Sequence, residues 1–420
     1  PADPSTPLVG PQLSGLNTAA TKIGSSLESS APQASAATRN TFSPLSCGPT
    51  SGVLGSAGPQ TVHANFTGAP LTDVWYYGAL ADSLAGADLA PESFDIFAQF
   101  NGAIGVDPNC LTGQSWYNGF DHNNDPASEI DLLAVVMHEI THGLGFLEIV
   151  DETTGESLAP PLLDVYALNM LDTTFGATWD LLTAAERLQS QVNAGNLVWA
   201  GPNVTDEAPT VLGPRPSVRV FTPRRLRGSY EAQPASFGPP LTQRRATVGR
   251  FVVADDGVDS GGDGCEPIEN RVKRRIALID RGGCDFTQKV LNAQNAGARA
   301  VIVVNNQPAG LPPMGGFDDS ITIPSVGVSF ADGEAFKDAA ERRIIGKLKL
   351  DRRFLAGANQ DGLVRLFAPD PVQPGSSKSH FDTSATPNLL MEPSINDDLA
   401  PTLFLDLTVP LLRDIGWNVP

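Results

Sequence analysis

Apolar residues along this 420-residue chain follow two rhythms, one mixed and one tightly clustered. From Thr61 the alternation of Val62, Ala64 and Phe66 with polar neighbours predicts a half-buried strand. Helical spacing over Asp73–Leu84 follows, then a second strand over Ser93–Phe100. The clearest helical pattern runs from about Glu129 to Leu144, with a capping-box arrangement, Ser128-x-x-Asp131, at its start and Gly143 and Gly145 at its close. Farther along, Ile276–Asp280 and Ala300–Asn305 are continuous apolar runs, the mark of strands covered on both faces. Phe286–Ala296 between them reads as a helix ended by Gly297. A strand over Ile323–Phe330 and a helix near Gly333–Glu341 continue this β–α–β alternation. An apolar helix over Leu405–Ile415 precedes Trp417.

Charge divides the chain where hydropathy does not. Between Asn203 and Asp370 lie 23 Lys and Arg against 20 acidic residues, a balance of +3; the remainder holds 5 against 27, or −22, and the two sum to −19. Such a step predicts one unit embedded in another, with divisions at 1–45, 46–202, 203–370 and 371–420. The first 45 residues are rich in Ser, Ala, Thr and Pro and read as a loosely ordered arm or a propeptide remnant. The overall acidity excludes nucleic acid as a partner, and no apolar run is long enough to span a membrane. The chain opens at Pro1 without an apolar signal core, which gives the expectation of a processed, secreted monomer. Four cysteines without any C-x-x-C spacing fit two disulfides in an oxidising compartment, Cys47–Cys110 and Cys265–Cys284.

The chemistry concentrates in His138-Glu139-Ile140-Thr141-His142. Histidines at i and i+4 stand one above the other on a helix face, so two imidazoles can reach one metal ion. Glu139 lies about 100° round the helix, placed to touch a water rather than the metal. A third ligand must come from elsewhere. His380 and Glu148 are the candidates, with Glu186 available only if a second helix supplies a glutamate. His63 reads as a strand histidine. Asp121-His122-Asn-Asn-Asp125-Pro126 invites calcium but fails the EF-hand pattern, as does Asp255–Gly264, which reads as a surface loop.

With Gly145 after the second histidine, the run resembles the zinc helix of metzincin proteases. The position where that family most often keeps its third histidine holds Glu148 instead. His380, with Met391 eleven residues later in Asn388-Leu-Leu-Met-Glu-Pro393, resembles the displaced third ligand and methionine turn of leishmanolysin-type metzincins. Asp382 is then a candidate carboxylate for orienting His380. Ile276-Ala-Leu-Ile-Asp-Arg-Gly-Gly-Cys284 and Ala293-Gln-Asn-Ala-Gly297 through Asn305 closely resemble a protease-associated domain, in which Cys265 and Cys284 stand where a disulfide is often carried.

The fold these resemblances imply is α+β, a metzincin-like zincin catalytic domain split by an inserted α/β protease-associated domain. The activity they imply is a secreted endopeptidase that cleaves proteins or peptides by a zinc-bound water, with Glu139 as general base. Two other readings stand beside it. One is a binding protein acting through the inserted domain. The other is a latent zymogen, with the Cys47 thiolate capping the zinc.

Overall fold

The computed structural model describes residues 38–121, 123–125, 128–242, 246–258, 262–308, 310–394 and 406–418. It divides into two compact units. One joins the chain up to Val211 with the stretch from Asp361 onward, and the other is Leu212–Gln360.

The first unit mixes helices with small sheets. Thr38–Ser43 pairs in parallel with Ile96–Asn101, which pairs antiparallel with Gly55–Pro59 at the sheet edge. The start of the chain is therefore a strand over 38–43 and not a loose arm there; residues 1–37 lie outside the described residues. A two-stranded parallel ladder, Ser115–Tyr117 with Glu129–Asp131, leads directly into the helix Leu132–Gly143. Leu132–Met137 and Glu139–Gly143 are buried, which is what a continuous apolar run at a domain centre produces.

The helix starts later than the sequence pattern suggests. Asp131 is its N-cap, and its carboxylate accepts from the Leu133 and Ala134 amides at 2.9 and 3.2 Å. Ser128 Oγ donates instead to Asp125, three residues before it in the chain, so Ser128-x-x-Asp131 is a turn followed by a strand and not a capping box. Beyond its end the chain reverses at Gly145, where φ is 109° and an added Cβ would stand 2.6 Å from the Tyr77 ring. Only glycine meets both demands. The Trp417 indole then locks the reversal by donating to the Leu144 carbonyl at 2.9 Å.

The second unit is built on eight strands, in spatial order Gly228–Glu231, Pro214–Thr222, Ile345–Leu355, Thr247–Val253, Ile276–Asp280, Ala300–Val304, Ser325–Val328 and Gln233–Pro234. Thr247–Val253, Ile276–Asp280, Ala300–Val304 and Ser325–Val328 run parallel in that order. The helix Phe286–Asn295 connects the second and third of these, and the helix Phe330–Ala340 leads from the last of them to the antiparallel strand Ile345–Leu355. One core packs Phe251, Ile276, Leu278, Ile302 and Phe336; a second packs Val290, Ala293, Val301 and Val303. The strands are thus covered on both faces, as their unbroken apolar runs require.

The compact units do not divide at 203 and 370. Helix Pro202–Val211 stays with the first unit because Asp414, in the final helix Thr408–Asp414, accepts from the Asn203 amide at 2.8 Å and from its side chain at 2.7 Å. The step in charge marks where basic residues begin, not where contacts change.

Candidate metal centre

Four-residue spacing on the helix Leu132–Gly143 brings His138 and His142 together, and a distant loop delivers His380 beside them. The three Nε2 atoms form a triangle with sides of 3.1, 3.1 and 3.2 Å. Each ring is held from behind by a backbone carbonyl. His138 Nδ1 faces Leu390 at 2.7 Å, His142 Nδ1 faces Phe146 at 2.7 Å, and His380 Nδ1 faces Ser376 at 2.8 Å. The reversal at Gly145 is what turns the Phe146 carbonyl back onto His142.

These carbonyls settle the tautomers. A carbonyl oxygen only accepts, so each Nδ1 carries the proton and each Nε2 presents a lone pair. Burial pushes His138 down to about 4, offset by the Leu390 carbonyl. It pushes His142 down to about 3, with His138 adding to the effect, and holds His380 well below its ordinary value. All three rings are neutral near pH 7. Three lone pairs converging at 3.1–3.2 Å repel one another unless a cation lies between them. Tetrahedral zinc with nitrogen ligands at about 2.0–2.1 Å places those nitrogens about 3.3 Å apart. The donor set therefore fits zinc.

Glu139 and these histidines line one cleft of about 790 Å³, which Gly52–Ala57 borders from the sheet edge. Glu139 is 6% exposed, and burial pushes its carboxyl up to about 8 against a smaller lowering by the Ala57 backbone. Gly55 packs directly on it. An added Cβ there would stand 2.8 Å from both Cγ and Oε1 of Glu139.

The segment around Met391 is buried and ties the centre together. The Leu390 carbonyl holds His138, while the Met391 carbonyl accepts from the Phe381 amide at 2.9 Å, one residue past His380. Asp382 does not orient His380. Its carboxylate caps the turn through the Ser384 amide at 3.0 Å, and the Ser376 carbonyl occupies His380 Nδ1 instead.

Glu148 stands apart from the histidine group, with Lys378 Nζ 2.7 Å from its carboxylate. Burial raises Glu148 to about 7, and the Lys378 charge works the other way. Sequence reasoning missed Lys378, whose only signal was a lone lysine in a serine-rich loop. Glu186 closes a capping box with Thr183 and is no ligand. His63 Nε2 pairs with Thr61 Oγ1 at 3.2 Å. His122 and Pro126 lie outside the described residues, and the Asp121 carboxylate is engaged by the Tyr117 hydroxyl and, at 2.7 Å, by Asn123.

Both expected disulfides are formed, Cys47–Cys110 in the first unit and Cys265–Cys284 in the second. Cys47 is thereby removed as a thiolate that could cap the centre.

The PA domain family model matches residues 247–336. The chain carries a PA domain. Vacuolar-sorting receptor 2 of Arabidopsis thaliana is 34% identical over 138 residues, 29% of this chain and 22% of the receptor. Vacuolar-sorting receptor 1 of Pisum sativum is 31% identical over 152 residues, 33% of this chain and 24% of the receptor. The chain spans less than a quarter of the length of these relatives. Among solved structures, a zinc aminopeptidase from Bacillus subtilis is similar at a TM-score of 0.25 and 22% identity, covering 40% of this chain and 38% of that one. At that score nothing about the histidine centre follows, and its reading rests on its own geometry. No described helix is long and apolar enough to cross a membrane.

Proposed function

We propose that the chain is a zinc-dependent endopeptidase of metzincin type, secreted or otherwise placed in an oxidising compartment, and that the first unit does the chemistry while the PA domain is non-catalytic. One observation carries this reading: three neutral imidazoles present converging Nε2 lone pairs beside a buried carboxylate in an open cleft. His138, His142 and His380 would hold the metal, with Met391 in the supporting turn. When bound, zinc supplies Lewis acidity for activating a water and polarising a peptide carbonyl.

The protein's own groups do the rest. Glu139 takes a proton from the attacking water and returns it to the leaving amine nitrogen. The Leu390, Phe146 and Ser376 carbonyls fix the three rings, so no reorientation is needed during turnover. The edge strand Gly55–Pro59 offers backbone groups to an extended peptide laid along the cleft, which suits cleavage within a chain.

The test is hydrolysis of labelled casein by the full chain before chelation, after 1,10-phenanthroline, and after zinc is restored. Activity that vanishes and returns is expected. A zinc-loaded sample with no activity on casein or a mixed peptide library would overturn the reading in favour of a binding protein.

A further inference from the structure

A second group of acidic side chains lies in the PA domain, independent of the histidine centre. Asp256 follows the strand Thr247–Val253, and Asp263 and Glu266 flank the start of the Cys265–Cys284 disulfide. One carboxylate oxygen from each lies within 4.8 Å of those of the other two. The sequence pattern alone makes this stretch a surface loop, yet Asp256 is only 3% exposed. Neither of its carboxylate oxygens makes a hydrogen bond of ordinary geometry. Burial works against its charge, while the nearby Asp263 carboxyl and the Val258 and Gly264 backbone hold its pKa below the ordinary value, so the site keeps Asp256 ionised without a well-formed partner.

The nearby cation does not meet it directly. Lys289 is fully buried, and its ammonium donates to the Asp263 carbonyl at 2.6 Å and to the Gly282 carbonyl. Among the described residues it makes no ion pair with any of the three carboxylates. Its charge acts on the group only at a distance, so three negative charges against one positive leave two uncompensated.

We propose that Asp256, Asp263 and Glu266 form a binding site for a hard divalent cation of the calcium class. Oxygen ligands each about 2.3–2.6 Å from calcium stand at most about 4.6–5.2 Å apart, and the observed 4.8 Å falls within that span. Three carboxylates supply between three and six oxygens, with water completing the shell, and a donor set of oxygen alone selects calcium or magnesium over zinc. Glu266 is exposed and Asp263 half-buried, which leaves the site open to solvent on one side. A bound ion would tie Asp256 to the disulfide-bearing stretch and fix this edge of the PA domain. The competing arrangement is a proton shared between Asp256 and Asp263, which needs no metal.

The experiment is isothermal titration of CaCl2 into the full chain, freed of calcium on a chelating resin and reloaded with zinc. One site per chain is expected, with a dissociation constant of about 10⁻⁴–10⁻³ M, as for extracellular calcium modules. Asp256→Asn and Glu266→Gln should each weaken binding at least about tenfold and abolish the rise in Tm that millimolar calcium gives the unaltered chain. Glu266 is exposed, so its variant keeps the test sound if Asp256→Asn fails to fold. Absence of calcium binding, or unchanged affinity in Glu266→Gln or in folded Asp256→Asn, overturns the proposal. Neither result bears on the protease reading, which rests on the other unit.

Discussion

The Lys378 ammonium lies 2.7 Å from the Glu148 carboxylate, and the two side chains are only 2% and 3% exposed. Glu148 is the third residue after Gly145, and Lys378 is the second residue before His380. The pair therefore joins the chain leaving the site helix to the loop that delivers the third histidine. Lys378 also donates to the Val150 carbonyl at 3.1 Å, and the Glu148 amide donates to Ser379 Oγ at 3.3 Å. Lys378 is held with φ at 73°, a left-handed conformation uncommon outside glycine that persists only where its surroundings over-determine it. We read the glutamate, at a position where the metzincin resemblance leads one to look for a ligand, as half of a clamp on His380.

Breaking that clamp should cost more than removing it whole. Lys378→Met leaves a buried carboxylate without its partner and is expected to destabilise the first unit by about 3–5 kcal/mol. Adding Glu148→Leu should restore most of the loss. Urea unfolding followed by tryptophan fluorescence measures both. Equal destabilisation in the single and double variants would show that the pair is not coupled.

Metal content separates the two candidates for third ligand. His380→Ala should bind well below one zinc per chain under conditions where the unaltered protein holds one, while Glu148→Gln should keep a full complement with about 10–100-fold weaker affinity. Atomic absorption after gel filtration against a competing chelator reads both. Full loss of zinc in Glu148→Gln together with retention in His380→Ala would reverse the assignment.

How far the sequence carried this picture depended on whether a feature is periodic or assembled. Histidines four apart on a helix share a face wherever that helix goes, so His138 and His142 were visible at once. The buried strands Ile276–Asp280 and Ala300–Val304 announced themselves by unbroken apolar runs. Contacts between distant segments left no such trace. Lys378 is one lysine in Gly-Ser-Ser-Lys-Ser-His, and only the fold shows it reaching Glu148. Asp131 and Ser128 are both good caps, and the choice fell to Asp131 because strand pairing with Ser115–Tyr117 holds Glu129–Asp131 extended. Asp256 looked like one more acid in a polar loop, since burial is invisible in a run of aspartates.

Glu139→Gln removes the proposed base and almost nothing else in shape. Its zinc content and melting temperature should match the unaltered chain, and kcat on a quenched peptide should fall by about 10²–10⁴-fold. Because the carboxylate acts only in proton transfer on this reading, KM should move little. A loss of activity that tracks a loss of zinc would make Glu139 structural instead.

Gly55 gives a test of position rather than of chemistry. Its Cα faces Glu139 so closely that a methyl group would come within 2.8 Å of Cγ and 2.9 Å of Cδ. Real side-chain contacts do not form at that distance, so in Gly55→Ala either the edge strand or the carboxylate must shift. The strand is held along Gly55–Pro59 by pairing with Ile96–Asn101, whereas the Glu139 side chain can rotate into the cleft. The carboxylate should move, and a displacement on the order of 1 Å costs roughly 10²-fold in rate. Gly55→Ala should therefore lower kcat by about that factor with zinc content unchanged, since the three histidines and the carbonyls behind them are untouched. Gly58, on the same strand with open space at its Cβ, supplies the control, and Gly58→Ala should leave kcat within about twofold. Equal effects of the two substitutions would mean that the strand, and not the placement of Glu139, sets the rate.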